Sequence, residues 1–315
     1  MPLEATSHRL PFALAAAQVV LLAATAPAYH AYGLRIDWST SGPMFAAQAG
    51  FAAAWLYFRR YRDHPLKRGT LDVIAGTALL VTLTAIVAPA QYLAVAIGRP
   101  LIDSSLASAD AAMHVNVADL ARWTSQHAAV SIAASLAYVS LLPQLFLPPL
   151  LLGLRFGDRE SLWEYIFHYH FCLIATLVAL ALFPAACAFQ HYGVPSTLDQ
   201  SRFVAHFSSL RSGTFHTISL TNLEGLISMP SFHVAGGLMV TWAFRRRPRA
   251  FVPLVVLNAA MIAATVLSGA HYLIDVIASF LLFGASVAVY SMRAIRSFTV
   301  LENSVARAAP AGSAS

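Results

Sequence analysis

Charge is what this sequence has least of. Asp, Glu, Lys and Arg make up 11% of its 315 residues, against 58% hydrophobic ones, and a soluble domain carries about twice that charged share. So few ionic groups cannot cover a water-facing surface, which excludes an ordinary soluble domain. Cysteine is nearly absent too. Cys172 and Cys187 both fall in or beside apolar runs, so there is no disulfide framework. No acidic cluster and no histidine spacing of the zinc type offers a metal site, and no cofactor is expected. The formal net charge of +6 sits in short basic knots between apolar runs. That pattern belongs to membrane topology and speaks against nucleic acid as a partner.

What is present in quantity is the long apolar run. Eight are expected to cross a bilayer, near 10–28, 43–58, 71–97, 128–152, 163–187, 231–245, 251–270 and 272–292. The fold class this predicts is all-α, a polytopic integral membrane bundle. The first run closes in Ala-Ala-Thr-Ala-Pro-Ala, which also resembles a secretory signal, but the topology works best if the segment stays. Pro143 and the pair Pro148-Pro149 predict a kink or an early end in the fourth run. Between 101 and 127, Ile102, Leu106, Met113, Val117, Leu120 and Trp123 recur at roughly helical spacing, which predicts an amphipathic helix lying on the outer surface. Residues 1–300 read as one membrane-embedded catalytic domain, and 301–315 as a disordered cytoplasmic tail.

The basic residues orient this arrangement. With the N-terminus inside, 15 of the 20 fall on cytoplasmic segments, and only Arg35, Arg99, Arg122, Arg202 and Arg211 remain outside. Both termini are then cytoplasmic. The starts of the sixth and eighth runs both reach the outer face.

Those two starts carry the motifs. The first is Pro230-Ser231-Phe232-His233, read as a helix start: Ser231 is a good N-cap, and the free N–H groups of a first turn favour an anion beside His233. The second is His271-Tyr272-Leu273-Ile274-Asp275. At i and i+4 the carboxylate is expected to stack under the imidazole on one helical face and take its Nδ1 proton. Nε2 is then free as a nucleophile or base, and two histidines with a carboxylate suit phosphoryl transfer. The plainer readings are a capping serine with a headgroup-facing His233, and a buried His-Asp pair that orients two helices. The other histidines carry less weight. His168 and His170 are i and i+2 and share no face, and His191, His206 and His216 lie in the long connection 188–230.

Together the two motifs resemble the type 2 phosphatidic acid phosphatase superfamily, and the fit is closest to its inositol phosphorylceramide synthase-like branch. That branch tolerates a bulky residue where Phe232 stands and reads His-Tyr-x-x-Asp where His271, Tyr272 and Asp275 stand. The resemblance implies that His271, oriented by Asp275, attacks phosphorus, that His233 protonates the leaving oxygen, and that no metal takes part. The superfamily's arginine six residues before the second histidine is replaced by Thr265, and its Lys-x6-Arg-Pro motif has only a partial echo in Tyr92-x6-Arg99-Pro100. A phosphoryl transition state needs cationic neutralisation. Arg211, in the loop leading to Pro230, is the preferred phosphate clamp beside Ser231, with Arg202 behind it and Arg99 as the weaker candidate.

The expected protein is a membrane lipid phosphatase acting at the outer leaflet, in the inner membrane if the cell is bacterial. Its substrate would be a phospholipid or an isoprenoid or sphingolipid phosphate. One alternative is a lipid headgroup phosphotransferase with the same chemistry. Another is a non-catalytic transporter or a haem- or metal-binding membrane protein using its 12 histidines. The sequence sets no oligomeric state.

Overall fold

The computed structural model describes residues 9–60 and 67–308, and most of them are helical. Among these described residues five helices are long and apolar enough to cross a bilayer. They are α1 (Arg9–Ala31), α3 (Lys67–Ala96), α8 (Arg159–Leu182), α12 (Pro248–Leu267) and α13 (Leu273–Ala308), the last apolar as far as Met292. Shorter helices fill the connections: α2 (Gly42–Arg60), α4 (Asp103–Ala112), α5 (Val117–Gln126), α6 (Ala128–Val139), α7 (Leu141–Gln144), α9 (Ala188–Tyr192), α10 (Ser201–Arg211) and α11 (Phe232–Ala243). Two three-residue strands, β1 (Arg35–Asp37) and β2 (Thr217–Ser219), pair in parallel with Ile36 opposite Ile218.

Three of the eight expected runs depart from a simple span. The run 43–58 becomes α2, which holds one Leu and no Val or Ile and is less apolar than the five spans; it buries none of its residues. The run 128–152 is broken. α6 stops at Val139, α7 ends at Gln144, and a π-helical turn covers Pro149–Arg155, as the missing N–H groups of Pro143, Pro148 and Pro149 predict. A sixth crossing forms only if α5 and the α6–α7 stretch, bent by 113°, count as one. The run 231–245 is α11, with 12 residues, about 18 Å of helix where ~30 Å of hydrocarbon must be crossed.

Two further expectations meet a different outcome. The outer amphipathic helix is two helices, α4 and α5, parted by a turn at His114 (φ 59°). α13 runs on to Ala308, through residues 301–308 where disorder was expected. That stretch holds neither Gly nor Pro, so nothing local stops the helix. Residues 309–315 of the expected tail, and 61–66 of the basic stretch between α2 and α3, lie outside the described residues.

Packing places α11 at the centre, against α8, α12 and α13. Lipid is as apolar as leucine, so helix association in a bilayer rests on close contact between helices. Small residues supply it here. A Cβ on Gly76 of α3 would overlap the Ile166 side chain of α8, and one on Gly237 of α11 would come within 2.5 Å of Met261 Cε on α12. Leu83, Val87, Leu162 and Ile166 are fully buried between α3 and α8.

Side-chain bonds sort the loops into two ends. At one, Arg211 Nη1 donates to the Arg99 carbonyl at 2.8 Å, β1 meets β2, and Asp103 bonds both Ala186 and Tyr272. At the other, Asp72 meets Arg159 at 2.6 Å, Glu164 meets Arg245 at 2.8 Å and Asp158 meets Arg247 at 3.0 Å. These are the two sets of loops into which the basic residues divide the chain.

Candidate active site

Two chain segments form the site, and local chemistry fixes each. Ser231 has extended backbone and its Oγ accepts the Val234 N–H at 3.3 Å, the cap expected after Pro230. At the other segment Gly269 ends α12 at φ +72°, a conformation open to glycine. A side chain there would also press on Phe189 and Ala121, at 3.1 and 3.2 Å. The chain then doubles back, with the His271 N–H donating to the Thr265 carbonyl at 3.0 Å. This sets the imidazole between α11 and α13.

The His271 ring has three neighbours. Its Nε2 lies 3.0 Å from Ser231 Oγ, and its Nδ1 lies 2.9 Å from the Ser228 carbonyl oxygen and 3.5 Å from Asp275 Oδ2. Both neighbours of Nδ1 only accept, so Nδ1 carries the proton and Nε2 accepts from the Ser231 hydroxyl. Ser231 and Asp275 are fully buried and His271 is 2% exposed. Water therefore screens these interactions little.

The expected stacking of His271 and Asp275 on one helical face needs correction. α13 begins at Leu273, so His271 precedes the helix. Asp275 reaches back because its Oδ2 accepts the Tyr272 N–H at 3.0 Å, which closes the first turn. The carboxylate ends up behind Nδ1, and the Ser228 carbonyl is the nearer acceptor. Asp275 Oδ1 is buried, with no hydrogen-bond partner among the described residues. Ser279 Oγ lies 3.1 Å from the Ser231 carbonyl and 2.6 Å from that of Asp275, tying α13 to α11 behind the site.

His233 is brought to the same place. Its ring centre is 6.4 Å from that of His271, near enough for one bound group to reach both, and it stacks on Tyr138 of α6 at 4.0 Å. Tyr138 was not foreseen, because nothing local marks one aromatic of an apolar run as different from the rest.

The larger omission is α4. Asp110 accepts the N–H groups of Leu273 and Ile274, each at 2.9 Å, and so caps α13 from another part of the chain. Asp103 accepts the Tyr272 hydroxyl at 3.0 Å and the Ala186 N–H at 2.9 Å. Both carboxyls are buried. Burial pushes the Asp110 carboxyl up, and its two N–H donors pull against that rise. Together they clamp the three residues that follow His271. A signal was available: Asp103 and Asp110 lie seven apart with Leu106 between them, on the apolar face of their helix.

The two clamp candidates meet each other. Arg211 donates to the Arg99 carbonyl, and among the described residues neither guanidinium pairs with a carboxylate. No described contact joins either of them to Ser231 or to the two histidines. Arg202 pairs with Glu224 at 3.0 Å. His168 and His170 are buried and bond to Ser286 and to Gln18 and the Ile166 carbonyl, His206 is half-buried against Tyr92, and His191 and His216 are exposed. Among the described residues no three His, Cys, Asp or Glu side chains converge as a ligand set for the metal-binding alternative.

A family model described as the PAP2 superfamily matches residues 104–289. No curated protein and no solved structure matches the chain. The matched stretch runs from α4 to α13, takes in both histidine motifs and Asp110, and covers well over half of the sequence; the chain belongs to the PAP2 superfamily, whose members are generally phosphoesterases.

Proposed function

We propose that this protein is a membrane lipid phosphatase that works through a phosphohistidine at His271. The observation that carries the reading is the environment of that ring. Nδ1 holds its proton between the Ser228 carbonyl and Asp275, and the Nε2 lone pair points at Ser231, the N-cap of α11. A phosphate in place of the Ser231 hydroxyl bond would meet first-turn N–H donors and the nucleophile together.

In the first step Nε2 attacks phosphorus, the bond from phosphorus to the lipid oxygen breaks, and protonated His233 gives its proton to that oxygen. The phosphorylated imidazole is cationic with respect to its ring, and the Asp275 carboxylate offsets that charge. In the second step water loses a proton to His233 and its oxygen attacks phosphorus. The phosphorus–nitrogen bond breaks and inorganic phosphate leaves, with both histidines restored. With an alcohol in place of water the same residues perform headgroup transfer, the reading that Phe232 and His271-Tyr272 share with the inositol phosphorylceramide synthase-like branch. The substrate is a phospholipid or an isoprenoid or sphingolipid phosphate, and the bilayer delivers it.

A second reading follows from a specific contact. Ser231 Oγ, His271 Nε2, His271 Nδ1 and Asp275 are ordered as in a serine triad, so Ser231 could be the atom that attacks. Rapid mixing with a labelled lipid phosphate, followed by quenching and peptide mapping, separates the two. The expected adduct is acid-labile, survives alkali and maps to His271. An acid-stable adduct on Ser231 would overturn the histidine mechanism.

The reading places the site on the extracytoplasmic face. Cysteines introduced at Arg122 and Ser212 are expected to react with an impermeant thiol reagent added outside, and one at Arg249 to stay unlabelled. The native Cys172 and Cys187 are buried and add little background. Labelling at position 249 from outside inverts the topology.

A further inference from the structure

Away from the histidines, the bundle holds a cavity of about 370 Å³, between α2, α3 and α7. Its walls are almost wholly apolar, with Leu80, Ala85 and Ala88 of α3 facing Leu142 and Leu145. The volume is that of a small-ligand pocket, yet it offers little to orient a polar molecule. Two features join it to the site. Leu220 and Leu223 line it and belong to the loop that runs into Ser228 and Ser231, and this loop is pinned to α3 by the bond from Leu226 N–H to Gln91 Oε1 at 2.7 Å. Tyr169 lines the cavity and its hydroxyl bonds Thr84 at 2.6 Å. The same ring meets Phe232 edge-on at 5.6 Å, and Phe232 follows Ser231 and precedes His233 in the chain.

We infer that this cavity seats one hydrocarbon chain of the lipid substrate, an inference that rests on the phosphoesterase reading above. Burial of each methylene favours a chain there over water only, and hydrocarbon lipid competes with it on equal terms. What makes the occupant the substrate's chain, and not any bilayer lipid, is continuity with the site. A headgroup held at Ser231 and His271 carries its own tail to the Phe232–Tyr169 wall, so phosphate binding raises the local concentration of that one chain. Phe232 then does more than tolerate bulk in the motif. It forms the partition between the polar site and the tail, and chain length becomes a specificity determinant.

The experiment uses the full chain in lipid nanodiscs with phosphatidic acid carrying a diazirine midway along one acyl chain. Light is expected to label α3 between Leu80 and Ala88, together with α7. Unlabelled phosphatidic acid should lower that labelling about fivefold or more, and diacylglycerol with the same chains less than about twofold. Equal competition by the two, or no label on these helices, would show a bulk-lipid groove and overturn the proposal. A second measurement reads chain length. Ala88→Phe narrows the cavity and should lower the ratio of long-chain to short-chain turnover about tenfold. Val256→Phe, on the exposed side of α12, should leave that ratio unchanged. An unaltered ratio in Ala88→Phe also overturns the proposal. Should the wild-type protein turn over no lipid phosphate, the phosphoesterase reading fails by itself, and the phosphate-dependent labelling still decides whether the cavity takes the chain.

Discussion

At the end of the bundle away from the histidines, arginine meets carboxylate four times: Arg159 with Asp72, Arg245 with Glu164, Arg246 with Glu160 and Arg247 with Asp158. At the histidine end the buried carboxylates take no arginine. Asp103 and Asp110 hold backbone N–H groups and a tyrosine hydroxyl, and Asp275 holds a backbone N–H behind the His271 ring. Among the described residues Arg99 and Arg211 meet no carboxylate, and the ion pairs at that end, Arg122 with Asp119 and Arg202 with Glu224, lie at the surface. One end thus ties four of its arginines to acids within the protein. The other fixes backbone with its acids, and under the proposed function its arginines are the groups that would meet a lipid phosphate.

The comparison is broken most directly at the proposed nucleophile. His271→Ala is expected to lower lipid phosphate turnover by about a thousandfold or more while the bundle stays folded. Asp275→Asn keeps the imidazole and loses the charge behind it, so some turnover should survive. A phosphate-release assay in detergent reads both, and near-wild-type turnover by His271→Ala would show that the unpaired charge at this end serves something other than phosphoryl transfer.

Next in size is the cation. Ser231 and first-turn N–H groups give partial charge only, and Thr265 cannot stand in for a guanidinium. Arg211→Ala should lose about 2–4 kcal/mol of transition-state stabilisation, by analogy with loss of one oxyanion donor. Arg211→Lys should recover part of it. Arg211 also holds the Arg99 carbonyl, so the two arginines must be separated. If Arg211→Ala turns over like wild type and Arg99→Ala is folded but inactive, the clamp is Arg99.

A smaller effect should follow from Asp110, which touches no substrate in this reading and acts by positioning. Its loss leaves the Leu273 and Ile274 N–H groups without their acceptor, and a lost cap costs about 0.5–2 kcal/mol. Transmitted to the His271 turn, this should appear as a fall of about tenfold in kcat with KM nearly unchanged. Asp110→Asn keeps one acceptor oxygen and should restore part of the rate. A purely structural role would instead lower the yield of folded protein and leave the kcat of what folds intact.

What the sequence disclosed and what it withheld divide along a physical line. Apolar runs, proline breaks, the Ser231 cap and the meeting of His233 with His271 are written in adjacent residues or in topology, and period, capping preference and basic-residue bias are enough to read them. Asp110 reaches Leu273 and Asp103 reaches Tyr272 across most of the matched domain, and no local pattern specifies such a bond. The His271–Asp275 contact was expected for the wrong reason, because i to i+4 spacing implies a stack only inside a helix, and the helix starts two residues too late. α2 showed an apolar run long enough to read as a span. Only the sum over its length sets it apart: one Leu and no Val or Ile, where α1 and α3 are rich in Leu and Val.

The smallest effect is expected at the other end, where Asp158 tests whether the two ends are separable. It caps α8 by accepting the Ser161 N–H at 3.1 Å and it receives Arg247 Nη2 at 3.0 Å. Burial acts to raise its carboxyl pKa, but the Ser161 bonds and Arg247 outweigh burial and hold it below the ordinary value. A carboxyl depressed in the folded state contributes stability that is present above its unfolded pKa and is lost as pH falls through its folded pKa. Asp158→Asn keeps a good capping side chain and removes the charge, so it should cost at most about 1 kcal/mol at neutral pH. Its apparent melting temperature should lie slightly below wild type at pH 7 and converge with it in acid, below the usual carboxylate range. Lipid phosphate turnover should not change, because this corner shares no contact with Ser231, His233 or His271. A fall in kcat as large as that of Asp110→Ala would mean that the ion pairs at the far end also set the geometry of the histidines, and the division between a charge-paired end and a reactive end would have to be abandoned.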